Sequence, residues 1–323
     1  MEHTLDIDVD MARRSIVGYL QDVQSRNGSK GLLLGLSGGI DSSVLAALAV
    51  AAVGSSSVHA AYLYDRDSEE TVRRNAMLMA RHLGLLLSVS DISDEIRNRK
   101  IYKPLIMRVL VLSGALNRAI QRSYTLICGE TFFKSTLRVG SGEALRPWYK
   151  RFLFNMSGRH VDRSYCERHA YRRFFLEREA GEGNLTLIGA ANRSEIEVGW
   201  FVKDGIDDLR IQPLAGLFKT QVRQMAEALG LPGEVCRQKP SPDMTKGISD
   251  EFGFGHTYEV VDIVIDCLDR EFSDDKIIAK GIDKGELDDI RELRRLSSWK
   301  RLSAHEPPPV DGKFGSPIRK RPK

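Results

Sequence analysis

Cysteine is scarce in this chain: Cys128, Cys166, Cys236 and Cys267 are the four in 323 residues. They form no CxxC pair and no metal-ligand spacing, which excludes a disulfide framework or a cysteine-built zinc site. They are expected to be reduced thiols, most of them packing residues, in a cytoplasmic protein. Long apolar runs are also missing. Nothing approaches the roughly 20 residues that span a bilayer, so no membrane contact is expected. The first ten residues, MEHTLDIDVD, are acidic where a secretory signal would be basic and then apolar. Triplets such as Asn192-Arg193-Ser194 therefore carry no glycosylation meaning.

Net charge is low, at +4, but unevenly spread. Between Arg97 and Arg178 there are 18 Lys or Arg against 5 Asp or Glu, leaving that stretch near +13 and the rest near −9. Such a run is either a solvated face or a surface for polyanions and phosphate-bearing ligands.

What is present is the stretch Leu32 to Ser43, LLLGLSGGIDSS. It reads as a buried strand, a tight glycine turn and the start of an Ala/Leu/Val-rich helix. Small residues let the backbone approach a phosphate, and the free N–H groups of a first helical turn attract anions. Serine hydroxyls add donors, and an aspartate can hold a divalent cation. No Gly-Lys-Ser/Thr follows, so this is not a Walker A loop.

Around it the pattern alternates. Helical spacing covers residues 9 to 25. Strands are expected at Val58 to Tyr64, Leu85 to Val89 and Leu185 to Gly189, with a helix from Glu69 to Leu85. The alternation predicts an α/β fold with a doubly wound parallel sheet, whose ligands bind at the carboxyl ends of the strands. From about Asn98 to Glu167 the pattern fails. This basic segment is expected to be an insertion of two or three helices with a flexible centre: a cover for the site, a dimer contact or a surface decoration. Asn192 reads as an N-cap with Glu195 completing a capping box, or Glu195 projects toward the same phosphates as Asp41. Later helices are expected at Phe218 to Leu229, Tyr258 to Leu268 and Ile290 to Ser298, and residues 311–323 as a basic, disordered tail.

SGGIDSS resembles the SGGxDS loop of the PP-loop ATP pyrophosphatases, which cleave ATP between its α and β phosphates. Downstream segments resemble NAD synthetases. Residues Ile188 to Glu195 are similar to their GTGNKSE, Phe218 to Arg223 to YKTQVR, and Leu229 to Pro232 to LGVP. Lys239 to Met244 resembles KPPSADL, and Asp250-Glu251 with Tyr258 resembles TDE…Y. The resemblance implies the adenine nucleotide alpha-hydrolase-like fold, with residues 1–310 as one domain interrupted by an insertion at 98–167.

It also implies roles. Asp41 and Glu195 would hold magnesium, and with Lys219 form the catalytic set. Leu36, Ser37, Gly38, Gly39, Ser42 and Ser43 would cradle pyrophosphate, and Lys219 and Ser241 would bind the β and γ phosphates of ATP. Arg172, Arg173, Asn192, Lys203 and Asp204 would meet the acid substrate. The reaction implied is ATP-dependent amidation of deamido-NAD by ammonia, releasing AMP and pyrophosphate. A homodimer is implied too, and nitrogen would arrive as free ammonia or from a separate partner protein.

Departures cluster on one half. Ala190 and Ala191 replace Thr and Gly of the family's GTGN. Its TKYGD is here Val202-Lys203-Asp204-Gly205-Ile206, and its ARMRM is only echoed by Ala170 to Phe174. The ATP half looks intact and the acid half altered, so a ligase acting on a different carboxylate or nucleophile is the second reading. A tRNA-modifying or RNA-binding protein is the third. It is disfavoured because paired cysteines are absent, and the basic and aromatic residues at Tyr171 to Phe175 also suit a helix packing into a core.

Overall fold

The computed structural model describes residues 5–302, 306 and 308–310; the tail at 311–323 lies outside the described residues. The first half of the fold runs α1 (Val9–Asn27), β1 (Gly31–Gly35), α2 (Ile40–Val53), β2 (Val58–Tyr64), α3 (Glu70–Leu83), β3 (Leu87–Asp91) and α4 (Ser93–Asn98). Helices α5 (Leu105–Leu110), α6 (Gly114–Cys128), α7 (Phe132–Gly140), α8 (Trp148–Met156) and α9 (Gly158–Gly183) follow, leading into β4 (Leu185–Leu187). The remainder is helical: α10 (Arg193–Val198), α11 (Lys219–Ala228), α12 (Gly233–Cys236), α13 (Asp250–Phe254), α14 (Tyr258–Asp269), α15 (Asp274–Ile278) and α16 (Lys284–Leu296). Among the described residues no helix is long and apolar enough to cross a membrane.

The four strands form a parallel sheet in the order β3-β2-β1-β4. Alternation of side chains along β1 divides the core. Leu32 and Leu34 face α1, α2, α3 and α11, meeting Leu45, Leu48 and Met225, whereas Leu33 faces α9 and α4 with Leu63, Ile96, Leu176 and Ala180. The chain leaves β1 toward β2 on one side, and β4 enters on the other. A crevice therefore opens at the carboxyl ends of β1 and β4. A third core, built by α14 and α16 around Phe254, Tyr258, Val261 and Leu293, supports that crevice from below.

The third strand lies two residues later than its pattern suggested. Leu85 instead closes the end of α3, its N–H donating to the Ala80 carbonyl at 2.8 Å. The segment 98–167 also departs from expectation. It holds α5 to α8 and the opening of α9 rather than two or three helices. Helices α5, α7 and α8 are short, and the Ser113 and Thr131 side-chain caps start α6 and α7 anew, so no single apolar period runs through the segment. Helix α9 is a single 26-residue element that runs from this segment to β4. Its Tyr171 and Phe175 pack against the core beside Leu63, Leu176 and Ala180, whereas Phe174 is exposed. All four cysteines are free, Cys128 and Cys267 buried.

Two buried cations tie the periphery to the sheet. Arg168 of α9 is fully buried and pairs with Asp67 and, at 3.7 Å, with Asp65, both just beyond β2. Lys300 donates to the carbonyls of Gly199 (2.9 Å) and Phe201 (2.6 Å), fastening the last described turn to the exit of α10. Burial pushes the Lys300 ammonium down to about 8, with Asp162, Cys166, Asp207 and Asp208 opposing the shift.

Replacing Arg168 by Met removes the buried cation shared by two buried carboxylates, leaving Asp67 to Arg66 (2.8 Å) and Asp65 to Arg172 (3.4 Å). It is expected to lower unfolding free energy by about 3 kcal/mol in urea titration, with an unchanged m-value. Between pH 8 and the ordinary lysine range near 10.5 the folded protein has lost the Lys300 proton that the unfolded chain still holds. Stability from Lys300 therefore rises with pH across that window. The difference in stability between wild type and Lys300→Met is expected to move toward wild type from pH 8 to 10, read by thermal melts.

Candidate active site at the carboxyl ends of the strands

The turn after β1 is shaped by two constraints. Gly38 has φ +83°, and a Cβ there would lie 2.2 Å from the Val72 carbonyl oxygen, so only glycine lets the turn pass under α3. Ser37 and Ser42 then meet hydroxyl to hydroxyl at 3.0 Å, and the Gly39 N–H donates to Ser37 Oγ at 3.3 Å. The first turn of α2 presents backbone N–H groups without intrahelical partners, beside Asp41.

Lys219 stands opposite. A lysine at the first position of a helix opposes the helix dipole, and this one is buried, so its position is not explained by helix stability. Its Nζ binds Asp41 Oδ2 (2.5 Å) and Glu195 Oε1 (3.2 Å). The start of α11 is pinned in turn: the Lys219 N–H donates to Ser194 Oγ (2.8 Å). Asp262 accepts from the Thr220 N–H (2.9 Å), the Thr220 hydroxyl (2.8 Å) and Ser194 Oγ.

Glu195 does both things its sequence position suggested. Its Oε2 accepts from the Asn192 N–H at 3.5 Å while Asn192 Oδ1 accepts from the Glu195 N–H at 3.0 Å, completing the capping box. Its Oε1 faces Lys219 and the Tyr258 hydroxyl, 3.3 Å away. Asn192 Nδ2 donates to Asp41 Oδ1 at 2.9 Å, so the cap residue also orients the loop aspartate. The same Tyr258 hydroxyl reaches Asp250 Oδ2 at 2.9 Å. A phenol has one proton, so it serves the two carboxylates in turn.

Three carboxylates thus surround one ammonium. Burial raises Glu195 above the usual carboxylate range against the pull of Lys219, and Asp41 and Asp250 add to the rise. Burial likewise raises Asp250, again against Lys219. For Lys219 burial acts downward, but Asp41, Glu195 and Asp250 outweigh it and hold the proton more tightly than in a free lysine. The cluster gathers three carboxyl groups around one ammonium, a donor set that suits a divalent cation. Asp41 and Glu195 already converge on one cationic centre, the Lys219 ammonium. Among the described residues no third His, Cys, Asp or Glu joins them in a metal-sized group. Two carboxylates with remaining positions left to phosphate oxygens and water is the usual magnesium arrangement.

A cavity of about 320 Å³ opens over this cluster. Ser37, Gly39, Asp41, Ser42, Glu195, Lys219, Ser241 and Arg172 all line it. Other expected residues do not. Ser43 is fully buried and its hydroxyl donates to the Gly39 carbonyl at 2.8 Å, so it stabilises the turn instead of facing a ligand. The Leu36 side chain belongs to the core. Arg173 binds Glu177 (2.7 Å) and the Asp208 carbonyl (3.4 Å); Lys203 binds Asp208 (3.1 Å); the Asp204 side chain is exposed. None of these three lines the cavity.

Sequence reasoning missed part of the wall. Gln121, Phe132, Phe133, Thr136, Val161 and Asp162 reach the cavity from the basic segment, which therefore covers the site. Trp200, Asp207, Asp250 and Lys300 complete it. Asp250 and Tyr258 stood in a quoted motif, yet nothing local showed that they meet Glu195.

The family model of NAD synthase matches residues 12–103 and 164–304, passing over 104–163. An NH3-dependent NAD+ synthetase of Rhizobium meliloti is 30% identical over 85% of this chain and 83% of its own length. The corresponding protein of Thermotoga maritima is 26% identical over 80% and 87%. Among solved structures, an NMN synthetase from Francisella tularensis superposes with a TM-score of 0.65 at 21% identity. The match covers 94% of this chain and 99% of that one, and it bears on the fold alone. The chain, whose phosphate turn, capping box and buried lysine meet at one crevice, belongs to the NAD synthase family.

Proposed function

We propose that this protein is an ammonia-dependent NAD synthetase. It would adenylate the carboxylate of deamido-NAD with ATP, release pyrophosphate, and let ammonia displace AMP. The observation that carries the reading is the Lys219 ammonium held between Asp41 and Glu195, in one cavity with Ser37, Ser42 and Ser241.

Adenylation builds negative charge on the leaving pyrophosphate, so fixed donors aimed at it lower the barrier. Ser37 and Ser42 hydroxyls and the N–H groups opening α2 bind and orient the phosphates. Lys219, which keeps its proton across the physiological range, offsets their charge as a point cation. Asp41 and Glu195 would hold magnesium, which would supply charge neutralisation for the phosphates. Asn192 and Tyr258 fix the directions of those two carboxylates. Ser241, between Pro240 and Pro242, binds the distal phosphates. Arg172 on α9 lines the cavity with its guanidinium fixed by Asp65 (3.4 Å) and the Leu63 carbonyl (3.3 Å), a positioned cation for the acid substrate.

A ligase for a different carboxylate remains the second reading, and specific features favour it. Ala190 stands on the cavity wall where a threonine hydroxyl is expected, and the Lys203–Asp204 stretch is turned away from the wall. The segment absent from the family match contributes Phe132, Phe133 and Thr136 to the same wall.

The decisive measurement is ATP–pyrophosphate exchange with deamido-NAD and a panel of other carboxylates. Exchange and ammonia-dependent product with deamido-NAD supports the first reading, and exchange only with another acid replaces it with the second. Asp41→Ala and Glu195→Ala are each expected to reduce exchange about a thousandfold with any acid, whereas Ser43→Ala stays within about threefold. Full activity of either carboxylate variant contradicts the metal assignment.

A further inference from the structure

The loop that carries Ser241 has few bonds of its own. Pro240 and Pro242 have no N–H to give, and the bonds described within it are Asp243 N–H to Ser241 Oγ (3.4 Å), Ile248 N–H to the Thr245 carbonyl (3.3 Å) and Asp250 N–H to the Pro240 carbonyl (3.0 Å). Its order comes from outside. Four consecutive residues, Met244 to Gly247, are each held by a donor from the helices that precede β4. Arg168 Nη1 donates to the Met244 carbonyl (2.9 Å) and the Tyr165 hydroxyl to Thr245 Oγ1 (3.1 Å). Asn117 Nδ2 donates to the Lys246 carbonyl (2.9 Å) and Arg118 Nη1 to the Gly247 carbonyl (3.1 Å).

The last two donors lie on α6, inside the segment that the family match passes over. Asn117 is fully buried, and its amide also donates to the Leu110 carbonyl at 2.7 Å, which fixes its orientation. Gly114, at the start of α6, lies so near the loop that a Cβ there would be 3.0 Å from Gly247 Cα. On the opposite side Glu69 grips the loop, its N–H donating to Asp243 Oδ1 at 2.7 Å.

We propose that α6 is a positioning device for this loop: Asn117 and Arg118 hold Lys246 and Gly247 so that Ser241 is presented to the Asp41–Lys219 cluster before ATP arrives. What the loop binds rests on the function proposed above. The positioning itself rests on the contacts. A preordered loop loses less freedom when ligand binds, so the clasp acts on ATP affinity more than on the chemical step.

The test combines two readouts on the full chain with Asn117→Ala, Arg118→Ala, the double variant and Arg118→Lys. Amide hydrogen exchange of residues 243–248 in the protein alone is expected to accelerate about tenfold in the double variant, as two lost hydrogen bonds imply, with β1 and β2 unchanged. KM for ATP in pyrophosphate exchange is expected to rise about five- to tenfold with kcat within about twofold, and Arg118→Lys is expected to restore most of the Arg118→Ala loss. Unchanged loop exchange and unchanged KM in the double variant overturn the proposal. So does a uniform acceleration of exchange through the whole sheet, which marks general destabilisation. Should Asn117→Ala fail to fold, the half-buried Arg118→Ala and its lysine rescue decide alone. If wild type shows no ATP-dependent exchange, the functional reading fails, while the hydrogen-exchange contrast still decides the clasp.

Discussion

One buried ammonium organises the functional half of this molecule. Lys219 is drawn out of water at the first position of a helix, where both desolvation and the helix dipole oppose it. Asp41, Glu195 and Asp250 compensate, and each comes from a different element: the start of α2, α10 and α13. The pair contacts therefore act as ties between elements that share little sequence proximity. Removing the lysine leaves three carboxyl groups, Asp250 buried and Asp41 and Glu195 half-buried, without their cation. Removing a carboxylate leaves the rest closer to balance, which separates the two kinds of substitution physically.

The parts of this arrangement that were legible in the chain are those with a local grammar. SGGIDSS, the Asn192–Glu195 capping box and the Lys219 helix start each announce a strand end or a helix beginning, and those are the places where an α/β sheet gathers a ligand. Ser43 shows the limit of such grammar. A serine in the motif can face either way, and its place one step further round α2 turns its hydroxyl into the turn. Asp204 and Lys203 failed similarly, because the exposed side of a loop and its inner side look alike in sequence. Asp250 and Tyr258 were quoted but not assigned, since their meeting with Glu195 depends on how α13 and α14 pack.

The basic segment was the least legible region, for a physical reason. Its helices are short, and their apolar residues serve α9, the cavity and one another, so no single period survives. Several of its arginines are engaged by carboxylates of the chain itself, such as Arg99 with Glu167 and Arg138 with Glu130 and Glu143. What it contributes is mainly shape: Phe132, Phe133 and Thr136 on one wall of the cavity, and a set of donors around the Ser241 loop.

The pairing of β1 with β4 carries a consequence for biosynthesis. Gly31 meets Leu185 only after the whole basic segment has been made, and the Lys219–Asp41 contact spans 178 positions. Chains are extended at about 5–20 residues per second, so β1, β2 and β3 wait many seconds on the ribosome with one edge of the sheet open. During that interval β1 presents an unpaired, apolar edge that other chains can join. The site is accordingly completed late in synthesis, after a long interval in which that edge has to be shielded until β4 arrives.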